Sequence, residues 1–255
     1  MRDVTAVISC FNYGRWLREA VDSVLAGGAR AVVVDDGSTE PIGDLPSEVE
    51  LIRQENRGVA LARNAGLERV ETPYAIVLDA DDRLAPGALE ALRPPLEADP
   101  RLGFTYGRMR FFGDLEGELR FPPYDPYRLL YRHTIGLSAL ARREVFENTG
   151  GFDPAFEQFE DWELWVNALA HGWHGRQVDA VTVEYRRHAG SKHARDRPAY
   201  RAAFRQLRQK HAELYRAPPE SRLGRLGRLW HRGFWGYRPV PAAVELAFHR
   251  LLWRK

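Results

Sequence analysis

The chain contains a single cysteine, Cys10, which excludes an intrachain disulfide and any cage of cysteines around a metal. Its 255 residues must therefore be held together by a buried core, and a chain of this length can build one. Long hydrophobic runs are also missing. The longest, such as Ala31–Val34 and Tyr74–Leu78, have the length of a strand, far short of the ~20 residues of a membrane-spanning helix. The N-terminus enters a strand-like pattern at Val4-Thr5 and lacks the design of a signal peptide. These absences predict a cytoplasmic, reducing setting. A dominant charge is lacking too. The net charge is +2, yet residues 217–255 carry eight Arg or Lys against two Asp or Glu, so the rest of the chain is acidic. An acidic body argues against a dedicated nucleic-acid binder, which shows a basic face across its main domain.

The first hundred residues alternate between two periods. Thr5–Cys10, Ala31–Asp35, Glu50–Arg53 and Tyr74–Leu78 read as short strands, the first, second and fourth of them almost continuously apolar. Between them, Trp16 to Leu25 and Val59 to Val70 repeat at helical spacing, and a further helix is expected with Pro86 in its first turn. Strands of this kind, alternating with helices, predict an α/β fold with a mostly parallel sheet covered on both faces. Further on, Met109–Phe112 and Glu118–Phe121 flank a turn and predict a hairpin. Ile135–Ala141 and Ala180–Arg186 predict strands, and Asp161–His171 a helix. With no linker before Pro218-Pro219, residues 1–217 are expected to form one domain, whose character changes at about residue 104.

In a parallel sheet, ligands bind beyond the carboxyl ends of the strands, and Ser9–Asn12, Asp35–Ser38 and Asp79–Asp82 all lie there. Asp79-x-Asp81 with Asp82 either caps the following helix or converges on a divalent cation beside phosphate oxygens; its register with the other polar strand ends favours the cation. Asp35-Asp36-Gly37-Ser38 is either a simple turn or a contact to a base or ribose. Phe11 either joins the core or covers a base. Arg63 is either a solvated helix charge or a group reaching phosphates or a base. Glu160-Asp161 either complements a helix dipole or supplies a general base, its pKa raised by the surrounding Phe156, Phe159, Trp162 and Trp165.

Taken in order, Ala6–Gly14, Val32–Ser38, Asn56-Arg57-Gly58 with Ala62–Gly66, Val77–Asp82, Gly150–Asp153 and Glu160-Asp161-Trp162 resemble the family 2 glycosyltransferases over about residues 4–190. The resemblance implies an inverting enzyme with the GT-A fold, a Rossmann-like sheet with helices on both faces. It would move a sugar from a nucleoside-diphosphate donor, most often a UDP-sugar, to a saccharide or lipid-linked hydroxyl in cell-envelope or polysaccharide synthesis. It implies Mn²⁺ or Mg²⁺ as cofactor, with Asp79, Asp81, Asp82 and His188 as metal ligands. Ser9, Phe11, Asn12, Asp36, Arg63 and Asp79 would surround the nucleotide, with Phe11 against the base and Asp36 at its edge, and Asp161 would be the catalytic base. One departure is Ser9, which stands where the family often has a strand-end proline. The Q-x-x-R-W motif of processive synthases is absent, which implies transfer of single sugars.

Other readings fit less well. A dinucleotide oxidoreductase needs G-x-G-x-x-G after the first strand, and a sugar nucleotidyltransferase a Gly-rich basic loop; neither is present. A glycoside hydrolase needs two carboxylates but not three polar strand ends. A catalytically degenerate binding module would not need Asp79, Asp81 and Asp161. Residues 218–255 remain. Leu223, Leu226, Leu229 and Trp230 alternate there with Arg222, Arg225, Arg228 and Arg232. This predicts a helical tail that packs on the domain or on a second subunit, or that docks at an anionic membrane surface.

Overall fold

A computed structural model describes residues 3–188, 197–232 and 253–254. Its centre is a parallel run of four strands, β1 (Val4–Cys10), β2 (Arg30–Asp35), β3 (Glu50–Arg53) and β4 (Tyr74–Asp79), in spatial order β3-β2-β1-β4. The alternation along β1 shows why it and β4 lack a polar face. Val4, Ala6, Ile8 and Cys10 enter one core, which contains Leu17, Val21 and Val24 of α1 (Gly14–Ala26) and Leu89, Leu92 and Leu96 of α3 (Ala88–Ala98). Val7 points to the opposite core. In β4, Tyr74, Ile76 and Leu78 join the first core, and Ala75 and Val77 the second. A strand buried on both faces reads as one apolar run. On the second face lies α2 (Val59–Leu67), so close that a Cβ on Gly66 would overlap Val7.

Beyond β4 the sheet becomes mixed. β8 (Leu140–Arg142) runs antiparallel to β4 and to β6 (Leu102–Gly113); β7 (Gly117–Leu119) pairs antiparallel with β6, while β9 (His174–Arg187) lies parallel to β6. The short β5 (Arg83–Leu84) pairs with β9. Three helices, α4 (Pro126–Tyr131), α5 (Arg143–Thr149) and α6 (Glu160–Ala170), fill the second core with Leu129, Leu130, Phe146, Trp162 and Trp165.

Three sequence expectations change. Pro86 precedes α3, which starts at a left-handed Gly87 (φ 74°). Within the predicted strand 135–141, only Leu140 and Ala141 are in β8. The carbonyl of Gly136 instead accepts the indole N–H of Trp165 at 3.2 Å, so it is not free for a ladder. The tail is only partly helical among the described residues. α9 covers Arg225–Trp230, and β10 (Trp253–Arg254) adds an antiparallel strand beside β7; residues 233–252 lie outside the described part. Two helices, α7 (Arg197–Lys210) and α8 (Ala212–Arg216), had not been expected. Phe204 and Leu207 of α7 join the second core. Among the described residues no helix is long and apolar enough to cross a membrane.

The chain after α8 is fastened by Asp125. This buried carboxylate caps α4 through the Arg128 N–H (2.9 Å) and also accepts the Ser221 hydroxyl (2.8 Å) and the Arg222 N–H (3.0 Å). Leu226, Leu229 and Trp230 of α9 remain exposed. Asp125→Ala removes a helix cap and three acceptor contacts at once. It is expected to cost about 2 kcal/mol, seen as a melting temperature lower by about 4–8 °C; an unchanged melting curve would mean that the clamp does not hold.

Candidate functional site

The parallel register aligns the strand ends. Ser9 sits opposite Asp79, and Cys10 opposite Asp35. Beyond them, β4 turns through Asp79-Ala80-Asp81-Asp82, and one carboxylate oxygen from each of the three aspartates lies within 4.8 Å of the others. His188, just past β9, brings its Nε2 to 3.1 Å from Asp81 Oδ2, and its ring packs against Trp16 at 4.3 Å. The four residues expected to bind metal are therefore brought together.

The electrostatics of the cluster suit a cation. Burial pushes the Asp81 carboxyl up, and Asp79 adds to it, against the opposing pull of His188. Burial, with Asp81 and Asp79, pushes Asp82 well up, although the Arg186 N–H donates to its Oδ1 at 2.9 Å. Crowded carboxylates resist ionising together, and a divalent ion relieves that repulsion. Carboxylate oxygens with one imidazole are a donor set that Mn²⁺ or Mg²⁺ accepts. The residues fit the ion.

Arg63 is not a solvated charge. Its side chain is 4% exposed, with Nη2 2.8 Å from Asp79 Oδ1 and Nη1 2.5 Å from Glu160 Oε1. Burial opposes its charge, but the two carboxylates more than compensate and keep it protonated. The next residue, Asn64, holds the turn after α5 by a two-way bond. Its amide donates to the Phe152 carbonyl and its Oδ1 accepts the Phe152 N–H, both at 2.8 Å. Gly151 there adopts φ 77°, and a Cβ on it would collide with the Asn64 amide.

The remaining expected residues divide. Phe11 is 45% exposed at the end of β1. Asn12 spends its side-chain carbonyl on the Thr39 N–H (2.8 Å), joining the turns after β1 and β2. Asp36 is buried; its Oδ1 accepts from Gln54 Nε2 (2.7 Å) and the Arg57 N–H (2.9 Å), and its Oδ2 from the Gly58 N–H (3.0 Å). It thus fixes the loop that leads into α2, and any contact to a base falls to its remaining lone pairs. None of the bonds recorded for Asn12 and Asp36 reaches the Asp79–Asp82 cluster.

Asp161 lies in the first turn of α6. Its Oδ1 accepts its neighbour's N–H, that of Trp162, at 2.8 Å, and its Oδ2 lies 2.9 Å from Nε2 of His133. The latter distance is that of an ion pair, though the atoms are not aligned as a hydrogen bond. The expected rise in the Asp161 pKa is overturned. Burial does push the carboxyl up, but His133 and then Arg63 outweigh it and leave it below the usual carboxylate range. It is Glu160 that burial raises, against the pull of Arg63. His133 itself is lowered by burial, but Asp161, with Glu160 and the Ile135 backbone adding to it, leaves it above its ordinary value. No motif marked His133 in the sequence; it stands alone in the segment after α4, and only the fold brings it to α6. The two non-glycine residues with positive φ among those described, Asn12 (59°) and Phe159 (63°), both border the site, as strained backbone often does.

Such a sheet, with an acidic cluster at the parallel strand ends tied through Arg63 to a carboxylate of α6, has the GT-A architecture of glycosyltransferases. Residues 5–152 match the model for Glycosyl transferase family 2, and the chain belongs to that family. It is 26% identical over 205 residues to a UDP-Glc:alpha-D-GlcNAc-diphosphoundecaprenol beta-1,3-glucosyltransferase, WfaP, of Escherichia coli, covering 75% of this chain and 80% of that protein. It is 28% identical over 198 residues to a putative teichuronic acid biosynthesis glycosyltransferase, TuaG, of Bacillus subtilis, covering 72% and 78%. It is also 28% identical over 183 residues to Streptococcus pneumoniae glycosyltransferase GlyA, covering 67% of this chain but only 23% of that longer protein. Among solved structures, S. aureus TarS in complex with UDP-GlcNAc superimposes with a TM-score of 0.65 at 15% identity, covering 91% of this chain and 70% of that one.

The His133–Asp161 pair has a pH signature. The raised His133 contributes stability in full below about pH 6.5 and loses it as pH rises through its folded value; the lowered Asp161 contributes above about pH 3.9 and loses it as pH falls. Both contributions are present between about pH 4 and 6.5. His133→Gln should therefore lower the melting temperature most in that window, by about 2–4 °C for about 1 kcal/mol, and progressively less above it. A deficit that is constant from pH 5 to 9 would exclude the ion pair.

Proposed function

We propose that the chain transfers one sugar from a nucleoside-diphosphate sugar, a UDP-sugar first among them, to a hydroxyl acceptor, with inversion at the anomeric carbon. The observation that carries this reading is the Arg63 bridge, which holds the Asp79 end of the acidic cluster and the Glu160-Asp161 turn of α6 to one guanidinium. Donor-side and acceptor-side groups thus belong to a single site. Support comes from TarS, crystallised with UDP-GlcNAc and with UDP, and from WfaP, whose name gives UDP-Glc and a diphosphoundecaprenol-linked acceptor. A cell-envelope role with a lipid-linked acceptor follows by similarity.

In this reading the exposed Phe11 ring covers the base, with Ser9, Asn12 and Asp36 shaping the loops beside it. Asp79, Asp81 and Asp82, with His188, hold Mn²⁺ or Mg²⁺, which when bound supplies charge neutralisation for the diphosphate. Arg63 fixes Asp79 and Glu160 so that neither has to reorganise during reaction. Asp161 faces the acceptor, orients its hydroxyl and accepts the proton as the oxygen attacks. A depressed pKa keeps Asp161 ionised and ready, although it weakens it as a base.

The experiment is a melting-temperature screen of UDP-, GDP- and dTDP-sugars with Mn²⁺, since a ligand stabilises the folded state in proportion to its occupancy, followed by turnover. One nucleotide class is expected to raise the melting temperature. Asp161→Asn should keep that shift while transfer falls by roughly two to four orders of magnitude. Asp81→Ala should lose the part of the shift that depends on Mn²⁺. No shift with any nucleotide sugar would sink the proposal, and a shift indifferent to metal would remove the cation from it.

A further inference from the structure

We propose that His133 works through Asp161: it takes over the proton that Asp161 removes from the acceptor hydroxyl, and so sets the pH dependence of transfer. This inference rests on reading Asp161 as the base. The carboxylate has one oxygen committed to the Trp162 N–H, while the other faces His133 Nε2 at 2.9 Å. The imidazole is held in place around that contact. It stacks on the Trp162 ring at 6.1 Å and 21° and meets Phe159 edge-on at 5.9 Å, and the Ile135 backbone beside it favours its charged form. Nε2 is buried and has no aligned hydrogen bond, which leaves it able to receive a proton.

The charges around the pair favour that transfer. Asp161 and Glu160 face His133 from α6; Arg63 of α2 acts on both carboxylates; Arg132 adjoins His133 in the chain, and Tyr200 of α7 stacks on the other side of the Trp162–Phe159 group. The net outcome is a depressed Asp161 and an elevated His133. A carboxyl so depressed is a poor place to leave a proton, and an imidazole so elevated is a good one.

In the step, the acceptor oxygen bonds to the anomeric carbon as the bond from that carbon to the diphosphate oxygen breaks, and the electron pair leaves on the diphosphate. The hydroxyl proton passes to Asp161 and on to Nε2 of neutral His133. The step ends as carboxylate and imidazolium, the ion pair that this pocket stabilises. Because Nε2 itself is buried, the proton returns to solvent by way of Asp161 once the product has left. Neutral His133 is the reactive form, so the rate rises with pH through its elevated pKa.

The test is UDP release from UDP-glucose and UDP-GlcNAc by the full chain with Mn²⁺, water serving as acceptor, from pH 5 to 9. Wild type should show kcat rising about tenfold per pH unit up to a midpoint above 6.5. His133→Gln should lose that limb and fall about 10–100-fold at pH 8, with the donor KM within about twofold. Should Gln distort the loop, as melting would reveal, His133→Ala is assayed with added imidazole, and restored turnover is expected. Labelled-histidine NMR should show the His133 midpoint above 6.5 in wild type and moving down in Asp161→Asn. A limb that persists in His133→Gln, or its absence from wild type, overturns the inference. An Asp161→Asn variant as active as wild type removes the base reading beneath it, whereas an inactive Asp161→Asn with an unaltered His133→Gln profile overturns the His133 role alone. Absence of UDP release by wild type from both donors counts against the UDP-sugar reading and takes this inference, as stated for UDP release, with it.

Discussion

The structure of the site depends on one buried cation. A guanidinium with 4% of its side chain exposed has surrendered its hydration, a cost of several kcal/mol unless charged partners replace the water. Asp79 and Glu160 do so, and they come from distant parts of the chain, one closing the last parallel strand and the other opening α6. If either partner moved away, the buried charge would keep only one of its two carboxylates. The requirement therefore fixes the relation between the acidic cluster and the helix that carries Asp161. Asn64, one residue on, ties the same helix to Phe152 through two hydrogen bonds. Two successive side chains of α2 thus fasten both sides of the cleft, which explains why an Ala-Arg-Asn-Ala-Gly segment needs its small residues: Gly66 lets the helix lie against Val7 closely enough for both to reach.

Legibility in the sequence followed the range of the interactions. The parallel strands could be read because burial on both faces removes alternation locally, and every residue of β1 shows it. The acidic cluster could be read because Asp79, Asp81 and Asp82 occupy one turn. Ile135–Ala141 misled because its composition suits a strand, whereas one of its backbone acceptors, the Gly136 carbonyl, serves Trp165 of a helix 29 residues away. Helix α7 was hidden among arginines, although Phe204 and Leu207 have the spacing of a buried face. For Arg63, the sequence left open whether the charge was solvated, and only the convergence of Asp79 and Glu160 decides it.

The same distinction explains the error over Asp161. Its sequence neighbours are aromatic, and a carboxylate among rings alone would be raised by desolvation. The decisive neighbours lie elsewhere: His133 comes from 28 residues earlier and Arg63 from nearly a hundred. Neighbours in sequence report the dielectric around a group; they do not report the charges that the fold brings to it. Where both act, the charges win here, and the shift changes sign.

The site consequently contains two kinds of carboxylate, separated by Arg63. On the β4 side, Asp81 and Asp82 crowd with Asp79 and are raised, an arrangement relieved by added positive charge. On the α6 side, Asp161 already has its positive charge in His133 and is lowered. A free cation therefore has reason to settle at the first cluster and little reason to settle at the second, since a carboxylate neutralised by an adjacent imidazolium attracts it less. Arg63 strengthens the separation: its fixed charge contacts Asp79 on one side and Glu160 on the other, so the nearest carboxylate to Asp161 along the chain is occupied as well. On the proposed reading, holding a diphosphate and accepting a proton would fall to different carboxylates because Arg63 and His133 stand beside different aspartates, Asp79 and Asp161.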